Sequence, residues 1–236
     1  MSTLSGRRFF CSWSGGKDCC LALHRAAREG AVPVSLVTML REDGERSRSH
    51  GLPLDVLRDQ ADAMGVRLIT RTTSWDGYRE RFLDAIAEAR ACGSDLGVFG
   101  DIDLEEHRQW VSEVCSEAGV EPLLPLWMGE RKAILDELLG EGYVATIVAV
   151  RDESLGPDYL GKALSTDIIR ALATEGIDLS GEGGEYHTVV TDGPAFSRPV
   201  RLEMGKVASK DGYSFLEVST LGNALQRQDR FKCIQR

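Results

Sequence analysis

The sequence predicts an α/β protein: a parallel sheet covered by helices on both faces, followed by a smaller α+β unit. Three observations carry that expectation. Short apolar, strand-like runs alternate with segments of helical periodicity through the first half of the chain. A glycine-rich break, SGGKD, stands where the first apolar run hands over to the first helix. Beyond about Met128 the alternation gives way to glycine-rich sequence and three late strand-like runs, TVVTD, RPVRLEM and YSFLEVS.

The elements follow in order. Strands are expected at Arg8 to Trp13, Val32 to Leu40, Val66 to Thr72 and Asp95 to Gly100, with a weaker one at Glu121 to Trp127. Helices are expected between them, at Asp18 to Glu29, Leu54 to Met64, Tyr78 to Ala91 and Leu104 to Ala118. In the third, Phe82, Ile86 and Ala89 share a face while Arg79, Glu80, Asp84 and Glu88 point elsewhere. Strand, helix, strand at this spacing means βαβ units and a sheet buried on both faces. A helix at Arg131 to Leu139, a buried strand YVATIVAV at Tyr143 to Val150 and a helix near Thr166 to Ala173 open the second unit. The expected division is residues 1–127 and 128–236. The charged segment REDGERSRSHG, Arg41 to Gly51, is expected to be a mobile loop.

Composition narrows the function classes. The chain has 236 residues, enough for one large domain or a core domain with a smaller one attached. Its 28 basic against 37 acidic residues, net −9, argue against a surface for phosphate backbones, so nucleic acid is not an expected partner. No apolar leader with a small-residue cleavage site opens the chain, and YVATIVAV is too short to span a bilayer. A cytoplasmic protein with no membrane partner is expected. The cysteines Cys11, Cys19, Cys20, Cys92, Cys115 and Cys233 show neither a CxxC pair nor zinc-type spacing, so free, mostly buried thiols are expected.

The stretch FFCSWSGGKDCC holds the strongest chemical signal. SGGKD sits at the carboxyl end of the first strand, the edge where open parallel sheets bind ligands. Gly15 and Gly16 let the backbone turn and approach a ligand closely. The amides of Ser14 to Asp18, with the positive end of the helix dipole, suit an anion. Lys17 adds a full charge, and Asp18 suits magnesium between itself and phosphate oxygens. Neither the Walker A pattern nor a Rossmann GxGxxG occurs here. Cys19 and Cys20 fall beside Leu23, Ala26 and Ala27 on the apolar side of the helix and read as packing.

SGGKD resembles the pyrophosphate loop of the ATP pyrophosphatases, the PP-loop group of adenosine-nucleotide α-hydrolases that split ATP into AMP and pyrophosphate. Their signature usually reads SGGxDS, and here Cys19 stands at the last serine. GDIDLEEHRQWVSEVC, PLLPLW and GEGGEYHTVVTDGPAF then resemble the diphthine-ammonia ligase family within that group. The resemblance runs from Phe10 to about Phe196. It implies a Rossmann-like sheet for the first unit, a substrate domain for the second, and an amide ligase that adenylates a carboxylate and joins it to ammonia. Relative to the family, Asp101, Ile102 and Asp103 replace an alanine- and serine-containing stretch, and Ser180 stands where cysteine is usual.

The site expected on this basis has three parts. ATP is contacted by Ser12, Trp13, Ser14, Gly15, Gly16, Lys17, Asp18, His50, Gly100 and Asp101. Asp18 and Asp101 hold Mg²⁺. Lys17, Glu182, Glu185 and His187 are the catalytic set, with Glu185 orienting ammonium or taking its proton and His187 titrating near neutral pH. His24, on an exposed helical face, is not expected to take part, and His107 in its acidic helix is a weak signal. The partners implied are ammonia and a carboxylate on a protein side chain or small metabolite, and a homodimer is compatible with the sequence. Two alternatives stand beside this reading: an RNA-modifying enzyme that adenylates a base before thiolation or amination, and a noncatalytic adenine-nucleotide-binding protein.

Overall fold

The structure is a computed structural model and describes residues 3–221, so Cys233 and the end of the expected second unit lie outside the described residues. Five strands form a parallel sheet: β1 (Arg8–Ser12), β2 (Val32–Leu40), β3 (Arg67–Thr72), β4 (Leu96–Val98) and β5 (Glu121–Leu123). Between them lie α1 (Lys17–Arg28), α2 (Leu54–Met64), α3 (Tyr78–Ala91) and α4 (Glu105–Ala118). The order across the sheet is β3-β2-β1-β4-β5, which reverses direction between β1 and β4. That switch point opens a crevice at the carboxyl ends of the two strands.

Successive residues of β1 serve opposite faces. Phe9 and Cys11 pack with Leu23 of α1 and Leu57 of α2, while Phe10 packs with Phe82 and Ile86 of α3 and Val111 and Val114 of α4. This is the period-two pleat of a strand buried on both sides. β4 and β5 are each three residues long, shorter than the apolar runs suggest. Phe99, Gly100 and Asp101 leave the sheet and line a cavity instead.

After α5 (Arg131–Gly140) comes an antiparallel sheet of β6 (Val144–Arg151), β7 (Tyr186–Asp192), β8 (Leu202–Lys210) and β9 (Tyr213–Thr220), with α6 (Thr166–Thr174) between β6 and β7. Its order is β7-β6-β9-β8. Ile147 and Val150 of β6 and Val189 and Val190 of β7 join the apolar cluster on the α1 and α2 side, so the second sheet closes over one face of the first.

Two expectations about local order change. Arg41 to Gly51 is pinned rather than loose: Leu40 pairs with Ser47 and Arg46 with Pro53 in isolated bridges, and Ser47 is fully buried, its hydroxyl accepting from Leu52 N. Apolar Leu52 and the hydroxyl anchor outweigh the charges around them. His24 is half-buried, its Nδ1 2.9 Å from Tyr143 Oη and its Nε2 3.4 Å from Glu141. The turn between α5 and β6 covers a helical face that the sequence of α1 alone presents as polar. Cys11, Cys19, Cys20 and Cys115 are buried and behave as packing, while Cys92 is half-buried. Burial pushes the Cys11 and Cys20 thiols well above their ordinary pKa and the Cys19 thiol up. Among the described residues no helix is long and apolar enough to cross a membrane.

Candidate active site

A cavity of ≈ 680 Å³ lies at the switch point. Ser12, Trp13, Ser14, Lys17, Asp18 and Cys19 line it from the first loop and helix, Thr38 and Met39 from β2, and Gly100 and Asp101 from the end of β4. Ser180, Glu182, Tyr186 and His187 close it from the second unit. Residues almost the length of the described chain apart thus face one space.

The loop glycines work behind the cavity. Gly15 has φ +85 and Gly16 abuts the His50 ring and the Thr188 carbonyl, so a Cβ at either would strike a neighbour. The loop is stitched to β7: Val190 N donates to Gly15 O at 2.9 Å, and Lys17 N donates to the Thr188 hydroxyl at 3.1 Å. Gly16 N already donates to Ser14 Oγ at 3.4 Å. The loop is therefore held in shape by protein contacts, and part of its amide complement is taken. Gly100 is a second close approach. A Cβ there would sit 2.7 Å from Cys19 N, against the first turn of α1.

Gln60 is the positioning residue that sequence reasoning missed. Fully buried on α2, it accepts from Trp13 Nε1 at 2.9 Å and donates to Gly15 O at 3.0 Å and Val190 O at 2.7 Å. One amide thus ties loop, helix and second sheet together. The available signal was an amide on the same helical face as Val56, Leu57 and Ala61, where a polar group must find partners.

Lys17 is buried. Its ammonium donates to Asp18 Oδ2 at 2.7 Å and to the Ser180 carbonyl, and lies 5.1 Å from the Tyr186 ring centroid. Burial alone would lower its pKa, but the Asp18 charge, the Tyr186 charge, the hydrogen bond to Asp18 and the Glu182 charge together outweigh it, and the lysine stays protonated. Burial raises the Asp18 carboxyl against the pull of Lys17, with Asp101 adding to the rise. Asp18 Oδ1 is buried with no hydrogen-bond partner. A hard cation would satisfy that oxygen, so the donor set fits Mg²⁺ shared with a ligand's oxygens. Asp101 is within electrostatic reach, and its Oδ1 lies 3.0 Å from His107 Nδ1. Among the described residues no three His, Cys, Asp or Glu side chains form a closed metal site.

The segment before β7 divides. Glu182 faces the cavity, where burial and then the Asp18 charge raise its carboxyl to about 7, with Asp101 and Asp103 adding and Lys17 opposing. Glu185 does not line the cavity. Its carboxylate folds back over Gly183, and its carbonyl accepts from Arg151 N at 2.8 Å, placing it on the rear side of the turn. His187 lines the cavity stacked on His50, centroids 4.5 Å apart. It does not titrate near neutrality: burial, with Lys17 and Arg151 nearby, lowers it to about 4. Burial and His187 hold His50 well below its ordinary value, and its Nδ1 lies 3.0 Å from Thr188 O. Both imidazoles are neutral at pH 7. The turn is fixed by Asp178, which accepts from Ser180 N at 2.8 Å and binds Arg131 Nε through both oxygens at 2.8 Å, while Arg131 Nη1 reaches Asp103 at 2.6 Å.

A family profile described as diphthamide synthase N-terminal domain matches residues 7–122, and one described as diphthamide synthase C-terminal domain matches residues 130–220. A human protein named diphthine–ammonia ligase is 30% identical over 241 residues, covering 88% of this chain and 87% of its own length. This chain belongs to the diphthamide synthase family. A rat relative of the same name is 27% identical over 239 residues, with 88% and 87% covered. Membership accounts for the two-part architecture, since the two profiles meet between β5 and α5. A solved structure, described as a predicted subunit of tRNA methyltransferase from Methanocaldococcus jannaschii, is 15% identical with a TM-score of 0.39, covering 78% of this chain and 95% of that one.

Proposed function

We propose that this member of the family is an ATP-dependent amide ligase that joins ammonia to a carboxylate and releases AMP and pyrophosphate, as the names of its relatives suggest for a diphthine acceptor. The observation that carries the reading is the convergence of Lys17, Asp18 and Glu182 from two sheets on one cavity at the switch point. We also take residues 1–127 as the nucleotide domain and 128–236 as the substrate domain.

ATP supplies the activation, because a carboxylate is a poor electrophile until its oxygen becomes part of a good leaving group. The residues supply position and charge. The loop Ser12 to Asp18 and Gly100 hold the phosphates against the start of α1, with Asp18 Oδ1 and Asp101 as the ligands of Mg²⁺, which would neutralise phosphate charge there. Lys17 keeps Asp18 oriented and anchors Ser180, so that ordering the first loop also orders the turn carrying Glu182. Glu182, with a pKa near 7, takes the proton that leaves the incoming nitrogen. His50 and His187, neutral and stacked, serve as a wall that excludes water. The buried thiols, all raised in pKa where a shift is resolved, favour ligation over a sulfur-transfer route.

Chromatography of the nucleotide products, with [¹⁵N]ammonia followed into the acceptor, tests this. AMP formed in step with labelled amide is the expected result. ADP as the main product would overturn it.

A further inference from the structure

The cavity has a second pole, away from Lys17. Trp75, Tyr78, Phe82 and Trp110 wall an arm of it, with Trp75 and Tyr78 near-parallel at 5.8 Å and Tyr78 tilted on Trp110 at 5.7 Å. Arg48 enters this arm. Its guanidinium lies 4.3 Å from the Trp75 ring centroid, and Nη1 donates to Thr73 O at 2.5 Å. Its Nε is buried and meets no acceptor, an arrangement that costs desolvation without return.

The other cations of the cavity are spoken for. Lys17 pairs with Asp18 at 2.7 Å, Arg79 with Glu117 at 2.8 Å, and His107 with Asp101 at 3.0 Å. Among the described residues lining the cavity, Arg48 is the one cation without a carboxylate partner. The charge of Arg48 acts on Tyr78, whereas that of Lys17 acts on Glu182, His50 and His187. Asp101 acts on Asp18, Glu182 and Tyr78 alike, so it stands where the two poles meet.

We propose that Arg48, backed by Trp75, is the subsite for the acceptor's carboxylate, and that the acceptor's flat or apolar stem lies along the rings of the arm. The proposal rests on the ligase reading and specifies its acceptor end. A guanidinium presents a planar fork matched to a carboxylate, and aromatic walls favour a stem with little charge. Nε is buried and the guanidinium lies under the Trp75 indole, so a carboxylate that takes this donor must shift a neighbour, and Trp75, 70% exposed, has solvent on its outer side.

The test uses benzoate as the probe, with benzamide as its neutral counterpart, on the full chain with a non-hydrolysable ATP analogue present. Benzoate should change tryptophan fluorescence in the wild type, and the change should shrink in Trp75→Phe, where Trp110 is the tryptophan left in the arm. Benzamide should bind about tenfold or more weakly than benzoate, and Arg48→Gln should weaken benzoate by a similar factor, the scale of a lost charged hydrogen bond. Arg48→Lys should restore part of the loss. The analogue's own affinity should stay within about twofold of wild type in both variants. Equal binding of benzoate and benzamide would overturn the proposal, as would a loss of analogue affinity matching the loss of benzoate, which would assign the guanidinium to phosphate. AMP release by the wild type is scored separately and bears only on the ligase reading.

Discussion

The two glycine-rich segments that meet at the cavity are built differently. The loop Ser14 to Asp18 is fixed from behind, with Gln60, Thr188 and Val190 gripping its backbone and no room for a side chain at Gly16. The turn from Ser180 to Glu185 is held by charged side chains instead: Asp178 with Arg131 on one side, Arg151 on the other, and the Lys17 ammonium in front. A loop fixed from behind thus faces a turn that leans on the loop's own lysine. The difference teaches that one residue, Lys17, joins the two segments, and on the proposed reading it would couple nucleotide and acceptor chemistry.

Breaking that coupling should have the largest effect. Lys17→Met leaves the buried Asp18 carboxylate without its partner and frees Ser180, and loss of one member of a buried pair costs about 3–5 kcal/mol. Turnover should fall on the order of 10³-fold or more, read by AMP release, with a lowered melting temperature. Retained turnover with a normal melting temperature would show that the two segments are ordered independently.

Gly100→Ala should come next. Its Cβ would meet backbone atoms of Asp18 and Cys19, which cannot rotate away. A loss of about 1–3 kcal/mol is expected in denaturant titration, with weakened ATP binding. Arg131→Ala should be milder and should separate the segments: kcat down about tenfold, nucleotide affinity within about twofold, because the second turn and Asp103 lose a partner while the loop Ser14 to Asp18 keeps its own anchors.

Much of this was legible in the sequence. The alternation of runs gave the parallel sheet, and SGGKD at the end of β1 marked the crevice because glycines, lysine and aspartate there have few other uses. The second segment was legible only as chemistry, not as geometry. Glu182 and Glu185 are indistinguishable in GEGGEY, and only the direction of the turn before β7 decides which one faces the cavity. His187 looked titratable because burial by a distant segment leaves no local trace. Gln60 and Arg48 were missed for the same reason: each acts through contacts far along the chain, and α2 and the Arg41 to Gly51 segment read as ordinary amphipathic and charged sequence.

The smallest expected effect is on pH dependence. His187 is held neutral down to about pH 4, whereas in the unfolded chain it protonates near its ordinary 6.5. Between those values the unfolded state binds more protons, so stability should fall as pH drops from about 6.5 toward 4. His50, lowered in the same way, adds to the fall. The double variant His50→Asn, His187→Asn should flatten that slope in thermal melts, and an unchanged slope would place the histidines outside the buried wall.

Glu182→Gln tests the division of labour most directly, because the changed side chain stands on the second segment and keeps its size. Pyrophosphate exchange into ATP, which needs only the adenylation half, should survive within a few-fold, while amide formation from ammonia drops about 10²-fold, the scale of losing a general base. Loss of exchange and amide formation together would contradict the account, since it would make Glu182 part of the nucleotide site rather than the ammonia site.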